Sequence, residues 1–189
     1  MIRTYTFNAD ELTPSPAEAL SYLRIKGTPD DATDALLSAC LAEVGSIADC
    51  RCRAGVFDLA FADSIHPVLR DSWLRGCDRF VLFCATVGIE IDRRIARYAL
   101  TSPARAAVLD AAGGALVEAL CDKLTERLSA ELAPARFGAR FSPGYGNFPL
   151  AAQRQVFSLL ELSRIGVGLN DSLLLSPAKT VTAIMGIKT

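Results

Sequence analysis

Apolar side chains recur every three or four residues along much of the chain, which is the spacing of one face of an α-helix. The longest such stretch follows Ser102 and Pro103, a pair that favours a helix start, and carries a leucine at every fourth residue from Leu116 to Leu132. Within it, Gly113 and Gly114 indicate a close approach of another backbone, a kink or a tolerated defect. The predicted helices span residues 16–25, 33–48, 64–75, 89–100, 103–133 and 150–160.

Other segments have the pattern of β-strands. Residues 79–87 are densely apolar without polar alternation, which predicts a strand covered on both faces. Residues 136–141 alternate, with Phe137 and Phe141 on one face and Arg140 on the other, which predicts a half-buried strand. Because helices and strands lack the regular spacing of βαβ units, we predict an α+β fold with a largely antiparallel sheet. Further strands are predicted over residues 51–61, 172–175 and 180–187.

The composition indicates a globular protein rather than a disordered one. Apolar residues make up 51% of the 189 positions, enough to bury a core without disulfides or metals. Lys and Arg number 20 against 21 Asp and Glu, a balance that argues against nucleic acid or an anionic membrane as the main partner. We predict one domain over residues 1–189, with an N-terminal segment over residues 1–26. The N-terminus lacks an apolar signal segment, so we expect a cytoplasmic protein.

Cysteine and histidine usage argues against a metal centre. The six cysteines of a cytoplasmic protein are expected to be thiols, and a redox role for the close pair Cys50 and Cys52 stays open. Their spacing fits neither a zinc nor an iron–sulfur site, and the single histidine, His66, has no triad pattern beside it. We predict no metal site and no catalytic residue, and an independent hydrolase or oxidoreductase is disfavoured.

The segment from Arg140 to Gly146 carries the most informative chemistry. Arg140 ends the predicted strand and presents a planar fork of donors that suits a carboxylate. Gly144 and Gly146 lack Cβ atoms, so a ligand could approach the backbone, and Tyr145 between them offers a ring face for stacking or for a sulfonium. The alternative interpretation is a tight surface turn beside an exposed arginine.

Three acidic residues share one face of the longest predicted helix. Glu118, Asp122 and Glu126 follow each other at intervals of four residues, a spacing at which like charges repel. They form either a solvated acidic face or, at Glu118, a contact for a cationic group. We expect Glu118 to point toward the Arg140 loop and Glu126 to stay in solvent.

Several stretches together resemble a known family. Residues 140–149 (RFSPGYGNFP) and 173–184 (LLLSPAKTVTAI) strongly resemble the activation domain of vitamin B12-dependent methionine synthase. Residues 76–78 (GCD), 81–88 (VLFCATVG) and 91–94 (IDRR) look like the compact, stand-alone bacterial form of that domain. The resemblance extends from about residue 27 to the C-terminus.

This resemblance implies a curved single domain with a twisted antiparallel sheet flanked by helices. It also implies an S-adenosylmethionine-binding accessory protein, not catalytic alone, that supports the reductive remethylation of cobalamin. The 189 residues leave no room for methyltransferase, folate or cobalamin modules. We therefore expect action in trans on a partner that carries the cobalamin, with an electron from a flavodoxin-type protein.

The resemblance also assigns ligand contacts residue by residue. The family motif of Arg, three residues and Gly-Tyr matches Arg140, Gly144 and Tyr145, and an acidic residue of the preceding helix matches Glu118. The ligand carboxylate would then lie on Arg140 and its ammonium or sulfonium near Glu118. The complete predicted contact set is Glu118, Arg140, Ser142, Pro143, Gly144 and Tyr145.

The chain departs from the larger family members at two points. Ile184 and Met185 stand near where those members carry an aromatic pair, and their N-terminal acidic ligand contact has no evident match here. Weaker binding or a changed ligand would follow. Two alternatives therefore remain: a reactivation partner of another corrinoid methyltransferase, or a ligand-free domain that docks on a corrinoid protein.

Overall fold

The computed structural model describes residues 1–188, which form a five-stranded antiparallel sheet with helices on both faces and a separate two-stranded ribbon. The helices are α1 (Pro16–Tyr22), α2 (Asp31–Ile47), α3 (Ala62–Ile65), α4 (Val68–Asp71), α5 (Glu90–Thr101), α6 (Pro103–Glu131) and α7 (Gln153–Leu159). The strands are β1 (Ile2–Phe7), β2 (Cys50–Asp58), β3 (Arg79–Thr86), β4 (Arg136–Phe137), β5 (Gly168–Leu169), β6 (Leu175–Ser176) and β7 (Thr180–Lys188). Short 3-10 turns cover Ala9–Glu11, Leu59–Phe61, Leu150–Ala152 and Leu162–Ile165.

The main sheet has five strands in the order β1-β2-β3-β7-β4, and every pairing is antiparallel. The central strand β3 is buried from Phe80 to Thr86, so the prediction of a strand covered on both faces is confirmed. Strands β5 and β6 form a separate two-stranded ribbon. The predicted α+β fold with a largely antiparallel sheet is confirmed.

Two hydrophobic cores cover the two faces of the sheet. On one face, α1, α2, α5 and α6 pack against alternate residues of the strands such as Val81 and Phe83. On the other face, α3, α4 and α7 pack against Phe80 and Leu82. The leucine stripe of α6 is buried as far as Leu128, which places this helix across the sheet as predicted.

The helix predicted over residues 64–75 is wrong as a continuous element. It is divided into α3 and α4 because His66 adopts extended backbone angles, φ −167° and ψ 133°, directly before Pro67. A residue that precedes proline is pushed away from helical angles by the proline ring, and this steric effect outweighs the apolar spacing.

The strand predicted over residues 136–141 is also shorter than expected, and its face assignment is wrong. Phe137 lies opposite Ile187, whereas Phe141 bridges Ile184. Phe141 is four residues after Phe137, but Ile184 is only three residues before Ile187, so the first segment contains one extra residue. The extra residue acts as a β-bulge and inverts the alternation of side chains. Phe137 consequently packs in the core on the α6 side, and Phe141 packs in the opposite core.

The paired glycines of α6 lie where other side chains approach the helix. A Cβ at Gly113 would lie 3.1 Å from Ile91 Cγ2 and 3.3 Å from Lys179 Cε, and one at Gly114 would lie 3.0 Å from Tyr22 Cε2. The close approach left open by the sequence is therefore made by side chains rather than by another backbone.

All six cysteines are buried and unpaired. Burial raises the pKa of Cys50 to about 11 and that of Cys121 to about 12. Thiols that stay protonated are poor nucleophiles, so the structure favours a packing role for Cys50 over a redox role. Among residues 1–188 no helix is long and apolar enough to cross a membrane.

Candidate ligand-binding site

A cavity of about 750 Å³ opens at the free edge of β7. On the side of β7 that faces β4 and the Arg140 segment, pairing ends at Ile184, which bridges Phe141. Residues 180–183, which precede Ile184 in β7, line the cavity wall. The volume lies within the range of roughly 300–1,000 Å³ that is usual for small-ligand sites. Most of its remaining lining comes from Trp73, α6, the Arg140 loop, the start of α7 and residues 173–175.

One wall of the cavity is charged. Arg140 Nη2 donates a hydrogen bond to Glu118 Oε2 at 3.0 Å. Arg140 Nη1 lies 2.8 Å from Asp122 Oδ1, but it is buried and makes no hydrogen bond within residues 1–188. The guanidinium is therefore neutralised by carboxylates yet keeps one buried donor without an acceptor.

Glu118 lies on the cavity side of α6, as the sequence predicts, whereas Glu126 is 71% exposed. Burial raises the pKa of Glu118, the Arg140 guanidinium lowers it, and the charges of Glu18 and Asp122 raise it further. The net result is a raised pKa, so this carboxylate is held in a site that disfavours its charge. An additional cation beside Glu118 would relieve that cost.

Glu18 from α1 is a further acidic group near this wall, although the sequence offered no match for an N-terminal acidic contact. Its Oε1 accepts a hydrogen bond from the Tyr22 hydroxyl at 3.1 Å, and its charge reaches Glu118. Burial, together with Glu18 and Glu118, raises the pKa of Tyr22 to about 12. The Tyr22 hydroxyl therefore stays protonated and remains a donor at neutral pH.

The Arg140 loop closes into a compact turn rather than an open backbone cradle. The Gly144 amide donates to the Phe148 carbonyl at 2.8 Å, and the Tyr145 amide donates to the Ser142 carbonyl at 3.2 Å. Gly144 has a φ of 94°, a left-handed angle that disfavours a side chain. Five of the six predicted contacts line the cavity, namely Glu118, Arg140, Ser142, Pro143 and Tyr145, whereas Gly144 does not.

An aromatic pair forms another part of the lining. The rings of Trp73 and Phe141 are stacked, with centroids 4.5 Å apart and an interplanar angle of 22°. Trp73 Nε1 donates to Asn147 Oδ1 at 2.8 Å, which fixes the indole against the loop. Tyr145 adds a ring that is 72% exposed at the cavity.

A buried polar pair also lines the cavity. Gln153 at the start of α7 and Thr182 on β7 are only 3% and 4% exposed, and their side chains hydrogen-bond each other. Gln153 and Thr182 were not predicted from the sequence as site residues, and neither were Trp73 and Asp122. The only sequence signal for Gln153 was its helical spacing with Val156 and Leu160 on the apolar face of the helix predicted over residues 150–160, and the partner Thr182 comes from a distant strand.

Within residues 1–188 no group of His, Cys, Asp and Glu side chains could hold a metal ion. The cavity instead combines a guanidinium, carboxylates, aromatic rings and a buried amide. This combination suits an organic ligand that carries both opposite charges and a flat ring system.

Comparisons with known proteins identify a structural relative. No protein-family profile matches the chain, and no curated protein matches it in sequence. Among solved structures, a crystal structure of the MetH reactivation domain bound to AdoHcy superposes with a TM-score of 0.66 at 14% sequence identity. The match covers 98% of this chain and 78% of that domain. The chain therefore has the fold of the MetH reactivation domain.

Proposed function

We propose that the protein binds S-adenosylmethionine in the cavity at the β7 edge and supports the reductive reactivation of a cobalamin-dependent methionine synthase in trans. The observation that carries the proposal is the buried Nη1 of Arg140 on the cavity wall, a cationic donor whose contact with Asp122 is an ion pair without hydrogen-bond geometry. The solved relative with this fold holds AdoHcy, a ligand with an amino-acid carboxylate.

Each end of an amino-acid ligand has a group of this chain to meet it. Arg140 Nη1 would donate to the carboxylate after Asp122, whose side chain is 70% exposed, turns into solvent. Glu118 would then accept from the ammonium or lie near the sulfonium, which places a positive charge where the protein disfavours an isolated carboxylate. The exposed ring of Tyr145 would cover the ligand.

S-adenosylmethionine would supply the methyl group, and the cobalamin and the electron would come from partner proteins. The chain's own residues bind and orient the methyl donor at the open side of the cavity. Within this proposal the partner is a cobalamin-carrying methionine synthase, and a different corrinoid methyltransferase is the nearest alternative.

Isothermal titration with S-adenosylmethionine tests the binding step. We expect saturable binding to the wild type, a loss of at least 10-fold in affinity for Arg140→Ala, and partial recovery for Arg140→Lys, since lysine supplies a point charge without a fork of donors. Arg136→Ala is the matched control, because Arg136 is exposed and lies on β4 outside the cavity lining. No binding by the wild type would refute the proposal.

A second candidate function is a ligand-free docking domain for a corrinoid protein. The observation in its favour is that Glu118 and Asp122 already neutralise Arg140 without any ligand. A pull-down with a cobalamin-loaded methionine synthase that lacks its own reactivation domain, with and without S-adenosylmethionine, distinguishes the two. Capture that is independent of S-adenosylmethionine, with no binding in the titration, would favour the docking function.

A further inference from the structure

The amide of Gln153 is buried on the cavity lining with few partners. Its Nε2 lies 2.9 Å from Thr182 Oγ1, and its Oε1 lies 3.0 Å from the same hydroxyl. A glutamine amide has two N–H donors and two carbonyl lone pairs, whereas a threonine hydroxyl has one hydrogen. Thr182 therefore leaves at least one N–H and one lone pair of Gln153 unused, and residues 1–188 offer the amide no other hydrogen bond.

This unused capacity lies on a side chain that is only 3% exposed and lines the cavity. Both amide atoms already contact Thr182, and a ligand that supplies an acceptor and a donor would use the N–H and the lone pair that remain. The amide is neutral, so it would hold a carboxylate or an ammonium less strongly than an ionised group does. The charged groups of Arg140 and Glu118 already provide for those ends of a ligand.

The surroundings of the amide define the complementary chemistry. Trp73 and Phe141 line the same cavity as a stacked aromatic pair, and Leu150 adds an apolar surface. A flat heterocycle fits such walls, and adenine presents an amino donor beside a ring-nitrogen acceptor. A glutamine amide pairs with that edge of adenine through two hydrogen bonds.

We propose that Gln153 reads the amino-bearing edge of an adenine base in this cavity, with Thr182 as the positioning residue that orients its amide. The inference rests on the proposed function, because it assigns the base of the same ligand. It makes Gln153 the residue that distinguishes adenosyl compounds from other sulfonium amino acids.

Four probes and three variants test the assignment. The probes are S-adenosylmethionine, S-methylmethionine, which lacks a base, adenosine, and purine riboside, which lacks the amino group. The variants are Gln153→Met, which keeps side-chain length, Thr182→Val, which keeps shape, and the control Gln155→Met, an exposed residue of the same helix. Far-ultraviolet circular dichroism and melting temperature establish that each variant is folded.

We expect the wild type to bind adenosine at least about 10-fold more tightly than purine riboside, in line with the discrimination of a bidentate contact. Gln153→Met should lose this preference and bind S-adenosylmethionine at least about 10-fold more weakly, with unchanged affinity for S-methylmethionine. Thr182→Val should shift in the same direction by a smaller factor, and Gln155→Met should match the wild type.

The outcomes separate this inference from the proposed function. Equal affinity of wild type and Gln153→Met for S-adenosylmethionine would overturn the assignment of Gln153 alone. A wild type that binds neither S-adenosylmethionine nor adenosine would overturn both. Binding of adenosine with the predicted preference, but not of S-adenosylmethionine, would support Gln153 as a base reader and refute the proposed ligand.

Discussion

Replacing Arg140 with alanine should destabilise the ligand-free protein, contrary to what an arginine on the polar face of a strand would predict. The side chains of Arg140 and Glu118 are 27% and 29% exposed, so the substitution leaves a largely buried carboxylate beside Asp122 and Glu18. Removing one partner of an ion pair costs more than the pair contributes when the other partner cannot return to water.

The magnitude follows from the geometry. Unit charges at the observed 3.0 Å attract by about 5 kcal/mol at an effective dielectric constant of about 20, before desolvation is subtracted. Broken pairs cost about 0–1 kcal/mol on surfaces and about 3–5 kcal/mol in interiors, so we expect about 1–3 kcal/mol for this intermediate burial. For a chain of this length the melting temperature should fall by about 2–12 °C.

The pH dependence of the free energy of unfolding is a separate check on the sign of this effect. The folded protein raises the pKa of Glu118 above its ordinary value of 4.5. At pH values between 4.5 and the raised pKa, the native state therefore binds more protons at Glu118 than the unfolded chain does. The free energy of unfolding therefore falls as pH rises through that window. Loss of Arg140 raises this pKa further, so the destabilisation should be largest at neutral pH and shrink toward pH 4.5.

Urea unfolding at pH 7 and pH 4.5, on the wild type, Arg140→Ala, and the double variant Arg140→Ala/Glu118→Gln, measures these differences. The double variant should recover most of the lost stability at pH 7, because a neutral amide tolerates the absence of the guanidinium. Equal stability of wild type and Arg140→Ala at pH 7, or a double variant less stable than the single one, would refute the reasoning.

Three further expectations follow from burial and charge. Affinity for a cationic ligand should decline as pH is lowered through the raised pKa of Glu118, beginning above 4.5, and Glu118→Gln should remove that dependence in titrations across pH. Leu120→Ala should cost about 2–5 kcal/mol in denaturant unfolding because Leu120 is completely buried, whereas Leu100→Ala, at a position 89% exposed, should stay within about 0.5 kcal/mol of the wild type. The thiols should react with a thiol reagent only after unfolding, and fast labelling of native Cys50, whose pKa burial raises to about 11, would contradict this.

Sequence patterns predicted the elements whose local preference agrees with their packing. The apolar run of β3 and the leucine stripe of α6 indicated their burial directly, because each pattern matches one type of secondary structure and each element is buried along most of that pattern. The break at His66 and Pro67 was missed because apolar spacing continued across it. The inverted faces of Phe137 and Phe141 depend on a register offset against β7, which no pattern within one strand encodes.

The candidate site was predictable only in part for a similar reason. Glu118 was placed toward Arg140 from helical spacing and a family resemblance, and the structure brings the two side chains together. Trp73, Gln153 and Thr182 come from elements far apart in the chain, and only tertiary packing brings them to the same cavity. Their roles as ligand contacts stay predictions, as do those of Ser142, Pro143 and Tyr145.

Gly113 and Gly114 of α6 lower the helix propensity of their own segment but leave space for side chains that pack near the cavity. Alanine at either position would strengthen the isolated helix by about 1 kcal/mol. At Gly113 the same methyl group would press on Lys179, which directly precedes β7, and at Gly114 it would press on Tyr22, whose hydroxyl donates to Glu18. A library screened only for thermal stability could therefore accept alanine here, whereas a library screened for ligand binding should retain glycine. Gly113 and Gly114 would then act as markers of which property a lineage of variants has been selected to keep.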